Sequence, residues 1–288
     1  MKLKVIVLGS TGLIGHQVFK YLEDSKYYEL HNISYRKKIN KETIICDVRQ
    51  EEVFINIIKS IRPDIIVNCI GILIQGANKD PKNAIYLNAY FPHLLMDLCD
   101  TLNSKLIHIS TDCVFSGLKG LPYEEADFKD GRDTYAKTKG LGEIINHRHL
   151  TLRTSVIGPE LKTDGEELFH WFMNQSGEIN GYSKALWSGV TTYILAKTVL
   201  WAIENNITGL YHVTNNKSID KFSLLTIIKK HTKRKIKIKS CAKKTVNKSF
   251  IDTRDEIDFI IPSYDEMIED MIHQIRQNKI LYSQYKID

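Results

Sequence analysis

Tyr135-Ala-Lys-Thr-Lys139 sets a phenol and an ammonium four residues apart on a stretch patterned as a helix, so that both project from one face. A phenol titrates near pH 10, and bringing it to neutrality takes about 4 kcal/mol, which a close cation in a partly dry site supplies. Tyr135 is thus a candidate proton donor. Just upstream, Ser110-Thr-Asp-Cys-Val-Phe-Ser-Gly117 places a hydroxyl, a carboxylate and a thiol on the consecutive residues Thr111, Asp112 and Cys113, directly after an apolar run.

A third feature lies near the start of the chain, where Gly9-Ser-Thr11-Gly12-Leu13-Ile14-Gly15 repeats glycine at every third position between a strand-like and a helix-like segment. Glycines there let the backbone turn tightly and approach a pyrophosphate, which rests on the free N–H groups and positive end of the following helix. This predicts a dinucleotide site. An acid at the end of the second strand would hold the ribose 2′-hydroxyl and repel a 2′-phosphate. The chain instead reads Ser34-Tyr-Arg36-Lys37-Lys38, so NADPH is the expected cofactor, with NADH as the alternative. Asp47 and Val48, closing "TIICDV", are expected at the adenine edge, and Cys69 and Gly71 beside the middle of the cofactor.

The elements needed to position these groups are visible in the hydrophobic periodicity. "LKVIVL", "YELHNISY", "TIICDV", "DIIVNCIGI" and "KLIHIST" read as strands, with helices over "LIGHQVFKYLED", "EEVFINIIKSI", residues 81–102 and a segment starting near Asp133. Alternating strands and helices predict an α/β fold, a doubly wound parallel (Rossmann) sheet covered on both faces. Beyond the strand "LTLRTSVIG" the regularity weakens. We expect residues 1–158 and 189–215 to form the NADP(H)-binding domain, and residues 159–188 and 216–288 a smaller, discontinuous C-terminal substrate-binding domain.

Composition sets the wider bounds. The chain has 288 residues, 43% of them hydrophobic, and a net charge of +6. Its apolar runs fall short of the roughly 18 residues of a membrane helix, so no membrane partner and a cytoplasmic location are expected. The five cysteines lack any Cys-x-x-Cys pair, and neither a metal site nor a disulfide framework is predicted. Ten basic residues crowd into residues 229–248, but "KRKIKIK" alternates charge with isoleucine in the manner of a solvated edge strand, and no nucleic-acid partner is expected. His170 and His231 read as surface or packing residues.

The glycine triplet, the Ser/Thr at a strand end and Tyr-x-x-x-Lys fall in an order that resembles the extended short-chain dehydrogenase/reductase family. More closely, Ser110 to Phe115, Pro122 to Asp127, and Tyr135 to Glu143 resemble its dTDP-4-dehydrorhamnose reductase branch, with "LRTS" and "GLYHVTN" further along. The resemblance implies reduction of a sugar C4 ketone on a nucleoside-diphosphate 4-keto-deoxy sugar, for cell-surface polysaccharide synthesis. Tyr135 would protonate the developing alkoxide, Lys139 would hold the nicotinamide ribose and lower the tyrosine pKa, and Thr111 would bond the reacting oxygen. It further implies substrate contacts from Asn88, Asp112, Cys113, Val114, Phe115, Arg153, Trp187 and Thr191. It also implies a homodimer formed through the helices at residues 81–102 and 133–147. Val190-Thr191 stands where relatives carry Pro-Thr.

Three rivals remain at this point. A 4,6-dehydratase needs an acid after Thr-Asp, where this chain has Cys113. A bifunctional epimerase/reductase would use Cys113 as acid/base, with His170 as its partner. A non-catalytic NADP-binding regulatory subunit has no need of the Thr111, Tyr135 and Lys139 set.

Overall fold

The computed structural model describes residues 2–287. The first half runs β1 (Lys4–Leu8), α1 (Gly15–Ser25), β2 (Glu29–Ser34), β3 (Ile44–Ile45), α2 (Glu51–Ile61), β4 (Ile65–Asn68), α3 (Ile74–Lys79), α4 (Pro81–Ala84), α5 (Phe91–Leu102), β5 (Lys105–Thr111), α6 (Thr134–Leu141) and β6 (Leu150–Thr154). The second half continues through β7 (Val156–Ile157), α7 (Leu168–Met173), β8 (Glu178–Trp187), β9 (Val190–Thr191), α8 (Thr192–Glu204), β10 (Gly209–His212), β11 (Ile219–Asp220), α9 (Lys221–Thr232), β12 (Lys237–Asn247) and α10 (Tyr264–Gln277).

Seven strands form one parallel sheet in the order β10-β6-β5-β4-β1-β2-β3. The chain winds outward from β1 in one direction and then from β4 in the other, which opens a crevice at the carboxyl ends of these two neighbours. Because side chains alternate across a strand, Val5 and Val7 enter one core layer while Ile6 and Leu8 enter the other. The α/β doubly wound fold expected from the sequence is the fold observed.

Several boundaries differ from expectation. The helix expected over residues 81–102 is interrupted by a π-helical turn, Ile85–Tyr90. Pro92 has no N–H to give the carbonyl of Asn88, and the chain widens instead, with Phe91 N–H reaching back to Tyr86. The helix expected to reach His147 stops at Leu141. A Cβ on Gly142 would lie 2.0 Å from the Asn88 carbonyl oxygen, so α6 ends where it meets the π turn. "TIICDV" contributes only Ile44 and Ile45 to the sheet.

A second sheet, ordered β11-β8-β12, is built from residues 178–187, 219–220 and 237–247. The basic segment supplies β12, an outer strand that is mostly exposed, as its alternation suggested. One apolar cluster runs without a break from Val5 and Phe19 through Leu195 and Met267 to Tyr285. Among the described residues, no helix is long and apolar enough to cross a membrane.

Candidate active site

A cleft of about 770 Å³ opens at the carboxyl edge of the parallel sheet. Thr11, Gly12, Leu13 and Ile14 form one wall, Cys69 and Gly71 the floor, and Thr111, Tyr135 and Lys139 the facing wall. Each group arrives from a strand end or from the element after it. Gly9 leaves β1 with φ +76°, in the left-handed region that glycine enters freely. Gly15 opens α1 against that turn, where a Cβ would lie 2.1 Å from the Gly9 carbonyl oxygen.

Thr111 ends β5 and caps the short turn that follows, its Oγ1 accepting the Cys113 N–H at 3.1 Å and donating to Asp112 Oδ1 at 3.2 Å. Tyr135 and Lys139 sit one turn apart on α6, whose first turn is capped by Asp133. Burial raises the pKa of the Tyr135 phenol, the neighbouring Cys113 adds to that, and the nearby Thr111 hydroxyl opposes both, so the phenol stays protonated. Burial is the largest influence on this phenol.

Lys139 is itself buried, which brings its ammonium down to about 8 despite Glu143 and Cys69. Its Nζ donates to the Ile109 carbonyl at 2.6 Å and lies 3.4 Å from His108 Nε2. Asn68 Oδ1 accepts the Ile70 N–H at 3.1 Å, so its amide NH₂ faces His108 Nδ1, also at 3.1 Å. That assigns the imidazole proton to Nε2 and leaves Ile109 as the acceptor for Lys139. The ammonium keeps donors to spare for the cleft.

Of the residues expected to touch substrate, Asp112 and Cys113 line the cleft. The other six do not. Asn88 is fully buried: its Oδ1 accepts the Ile72 N–H at 2.8 Å while its Nδ2 donates to the Ile72 carbonyl at 3.0 Å and to Thr138 at 3.3 Å. It clamps the loop that carries Gly71. Arg153, 1% exposed, forks onto Glu143 at 2.8 and 2.7 Å and meets His212 at 2.7 Å, a buried ion pair under the site. Glu143 also accepts from Ser110 at 2.7 Å and faces Lys129 at 3.2 Å. Trp187, 4% exposed, tilts against Tyr264 and carries Lys221 Nζ 4.6 Å from its ring centre, so it is no stacking platform. Thr191 caps α8 by accepting the Ile194 N–H at 3.3 Å. Val114 and Phe115 are buried with Tyr123 and Phe250.

At the nucleotide end, Arg36 and Lys37 are exposed beside the end of β2, and the Arg36 guanidinium lies 4.4 Å from the Tyr35 ring centre. Asp47 forms an ion pair of 2.7 Å with Arg49, and the Val48 carbonyl accepts from Tyr86 at 3.2 Å. Sequence reasoning missed Arg49. It also missed His108 and the cleft loop at residues 160–167, where Glu160, Lys162, Asp164, Glu166 and Glu167 face the cavity. Burial, reinforced by Glu160, pushes the Glu167 carboxyl up to about 7. The polar run "PELKTDGEE" was the available signal for this loop.

The epimerase/reductase rival loses support from this geometry. Burial, with Asp112 beside it, pushes the Cys113 thiol up to about 12, which leaves it protonated and unable to act as a base near neutral pH. His170 bonds Tyr285 at 2.9 Å and lines an adjoining cavity of about 420 Å³, which shares Gln75, Asp164 and Glu166 with the cleft but not Cys113.

Comparison with known proteins extends the picture. The family model described as "RmlD substrate binding domain" matches residues 2–252. A dTDP-4-dehydrorhamnose reductase of Aggregatibacter actinomycetemcomitans is 26% identical over 157 residues, 53% of this chain and 51% of that protein. The chain thus spans about half the length of that curated relative. The spore coat polysaccharide biosynthesis protein SpsK of Bacillus subtilis is 26% identical over 218 residues, 74% of each chain. A crystal structure of dTDP-4-dehydrorhamnose reductase from Bacillus anthracis in complex with NADP superposes with a TM-score of 0.82 at 21% identity, covering 95% of this chain and 100% of that one, and so shares its fold.

Proposed function

The chain belongs to the RmlD substrate binding domain family, and from that premise we propose that it reduces the C4 ketone of a nucleoside-diphosphate 4-keto-deoxy sugar with NADPH, supplying an activated deoxy sugar for polysaccharide synthesis. The observation that carries this reading is the convergence of Thr111, Tyr135 and Lys139 on one wall of a cleft whose opposite wall is the glycine turn.

The residues present fit a dinucleotide. Without a Cβ at Gly9 or Gly15 the turn packs closely, and the N-terminus of α1 offers its N–H groups and positive end to a pyrophosphate. NADPH, when bound, supplies the hydride. The Lys139 ammonium is placed to hold a ribose hydroxyl with the donors that Ile109 leaves free. Tyr135, kept neutral by burial, gives its Oη proton to the substrate oxygen as charge develops there. Thr111, whose hydroxyl donates to Asp112 Oδ1 at 3.2 Å, would turn that proton to the same oxygen when substrate is bound. Arg36 and Lys37 beside β2 favour the 2′-phosphate of NADPH over the bare ribose of NADH.

The substrate side is assigned to Asp112, Cys113 and the loop at residues 160–167, backed by Lys221. We assign residues 1–158 and 189–215 to the cofactor unit and residues 159–188 and 216–288 to the substrate unit. The five free cysteines suit a reducing cytoplasm. The exposed side chains of Ile85, Tyr90, Leu141 and Ile145 favour a homodimer across the π turn and α6. Light scattering on a gel-filtered sample is expected to give twice the chain mass, and a monomer would contradict the assignment. For the activity itself, NADPH oxidation is followed against a panel of dTDP- and UDP-linked 4-keto sugars. Turnover of at least one, with NADH slower, is expected; no turnover of any would overturn the reading, and equal use of NADH would overturn the cofactor choice.

A further inference from the structure

The cleft loop at residues 160–167 is closed on itself at one point and held from outside at another. Within it, Glu160 Oε1 accepts the Glu167 N–H at 2.9 Å, which joins the two ends of the loop where α7 begins. Gly165 passes close by, and a Cβ there would collide with both the Glu160 carboxylate and the His170 ring. Glu160 and Glu167 line the cleft, so the place of this closed loop sets one side of it.

The outside hold comes from the segment after α10, 125 positions further along the chain. The Tyr285 hydroxyl accepts the Glu160 N–H at 2.9 Å and meets His170 Nδ1 at 2.9 Å, while Gln284 Nε2 donates to the Glu160 carbonyl. Both backbone polar groups of Glu160 are thus taken up by this segment. The Tyr285 ring is buried and meets Phe169 and His170 of α7 edge-on, with ring centres 5.2 and 5.6 Å apart, which makes its hydroxyl a fixed point for the loop. Tyr282, three residues earlier, directs its hydroxyl to Gln17 and His16 of α1 instead.

We propose that Tyr285 and Gln284 are positioning residues for the substrate: by fixing the backbone of Glu160 they hold the loop against the cleft. Neither of them lines the cleft, so they act through the loop and not by touching substrate. The inference rests on the assignment of this loop to the substrate side and names what sets its position. A hydroxyl that only stabilised the core would change unfolding and leave substrate affinity alone.

The test compares Tyr285→Phe with Tyr282→Phe, each of which removes one buried phenol hydroxyl from the same segment of the full chain. Steady-state kinetics use a dTDP- or UDP-linked 4-keto sugar that the wild type turns over. Trypsin cleavage after Lys162, which is exposed and is the one basic residue of the loop, reports loop opening without substrate. Tyr285→Phe is expected to raise the sugar-nucleotide KM about threefold to tenfold, with kcat and NADPH affinity changed less than about twofold, and to speed cleavage after Lys162 by a similar factor. Gln284→Ala, at a partly exposed position, is expected to move KM and cleavage in the same direction and decides the matter where Tyr285→Phe does not fold. Tyr282→Phe is expected to move neither by more than about twofold. Unchanged KM or cleavage in Tyr285→Phe, or an equal rise in Tyr282→Phe, overturns the proposal while leaving the reductase reading intact. A wild type that turns over none of the sugars overturns that reading and this inference with it.

Discussion

Lys139 shows how burial sets the working range of a residue. Its ammonium is brought to about 8 chiefly by loss of solvent, so its charge is present below that pH and disappears above it. With the charged form proposed to hold the ribose and to favour negative charge on the reacting oxygen, kcat/KM is expected to fall as pH rises through about 8. Tyr135, raised by burial, still keeps its proton there. A pH–rate profile checks this, and a flat profile to pH 9.5 would contradict it. Arg153 leads to the opposite kind of prediction. Arg153→Met leaves the buried Glu143 carboxylate without its fork, which costs about 3–5 kcal/mol of stability. Chemical denaturation should show the loss. At this scale the sequence exposed Thr111, Tyr135 and Lys139 because their spacing is local. Asn88, Arg153 and Trp187 misled because what fixes each one is a partner far along the chain: Ile72, Glu143 with His212, and Lys221 with Tyr264.

Between residue and molecule stand the turns that aim these groups. Gly15→Ala forces a Cβ to within 2.1 Å of the Gly9 carbonyl oxygen, and backbone on both sides of the turn has to shift. NADPH affinity is expected to drop by roughly tenfold or more, read by fluorescence titration, with the circular dichroism of the fold retained; unchanged affinity would show that the turn does not seat the cofactor. The π turn is a second such device. With Pro92 unable to bond the Asn88 carbonyl, the helix widens and the Asn88 side chain clamps Ile72 and Thr138. Asn88→Ala leaves the partly buried N–H and C=O of Ile72 without their side-chain partner, a cost of about 0.5–1.5 kcal/mol in denaturant unfolding. Periodicity revealed most helices but not this widening, whose one cue was a proline. It also passed over β8, where Gly181 faces inward and the alternation of "EINGYSKALW" is weak to the eye.

The whole molecule is more unified than its sequence suggested. The parallel sheet and its winding were readable from alternating strands and helices, whereas the return of the C-terminal segment onto α1 was not, because it depends on single aromatic residues with no periodic signature. Tyr282 accepts from Gln17 Nε2 at 2.6 Å and meets His16 Nε2 at 2.9 Å, and Tyr285 meets His170, so the C-terminal residues tie α1 and α7 into one core. Tyr282→Phe is expected to lower stability by about 1–3 kcal/mol while thermal unfolding stays a single transition; two separated transitions would contradict a shared core. The proposed chemistry, a neutral phenol brought to a sugar ketone, is tested most directly by turnover of a 4-keto sugar nucleotide by Tyr135→Phe beside its affinity for NADPH. Turnover is expected to fall by about 10²–10⁴-fold with NADPH affinity nearly unchanged. Turnover equal to that of the wild type would contradict it.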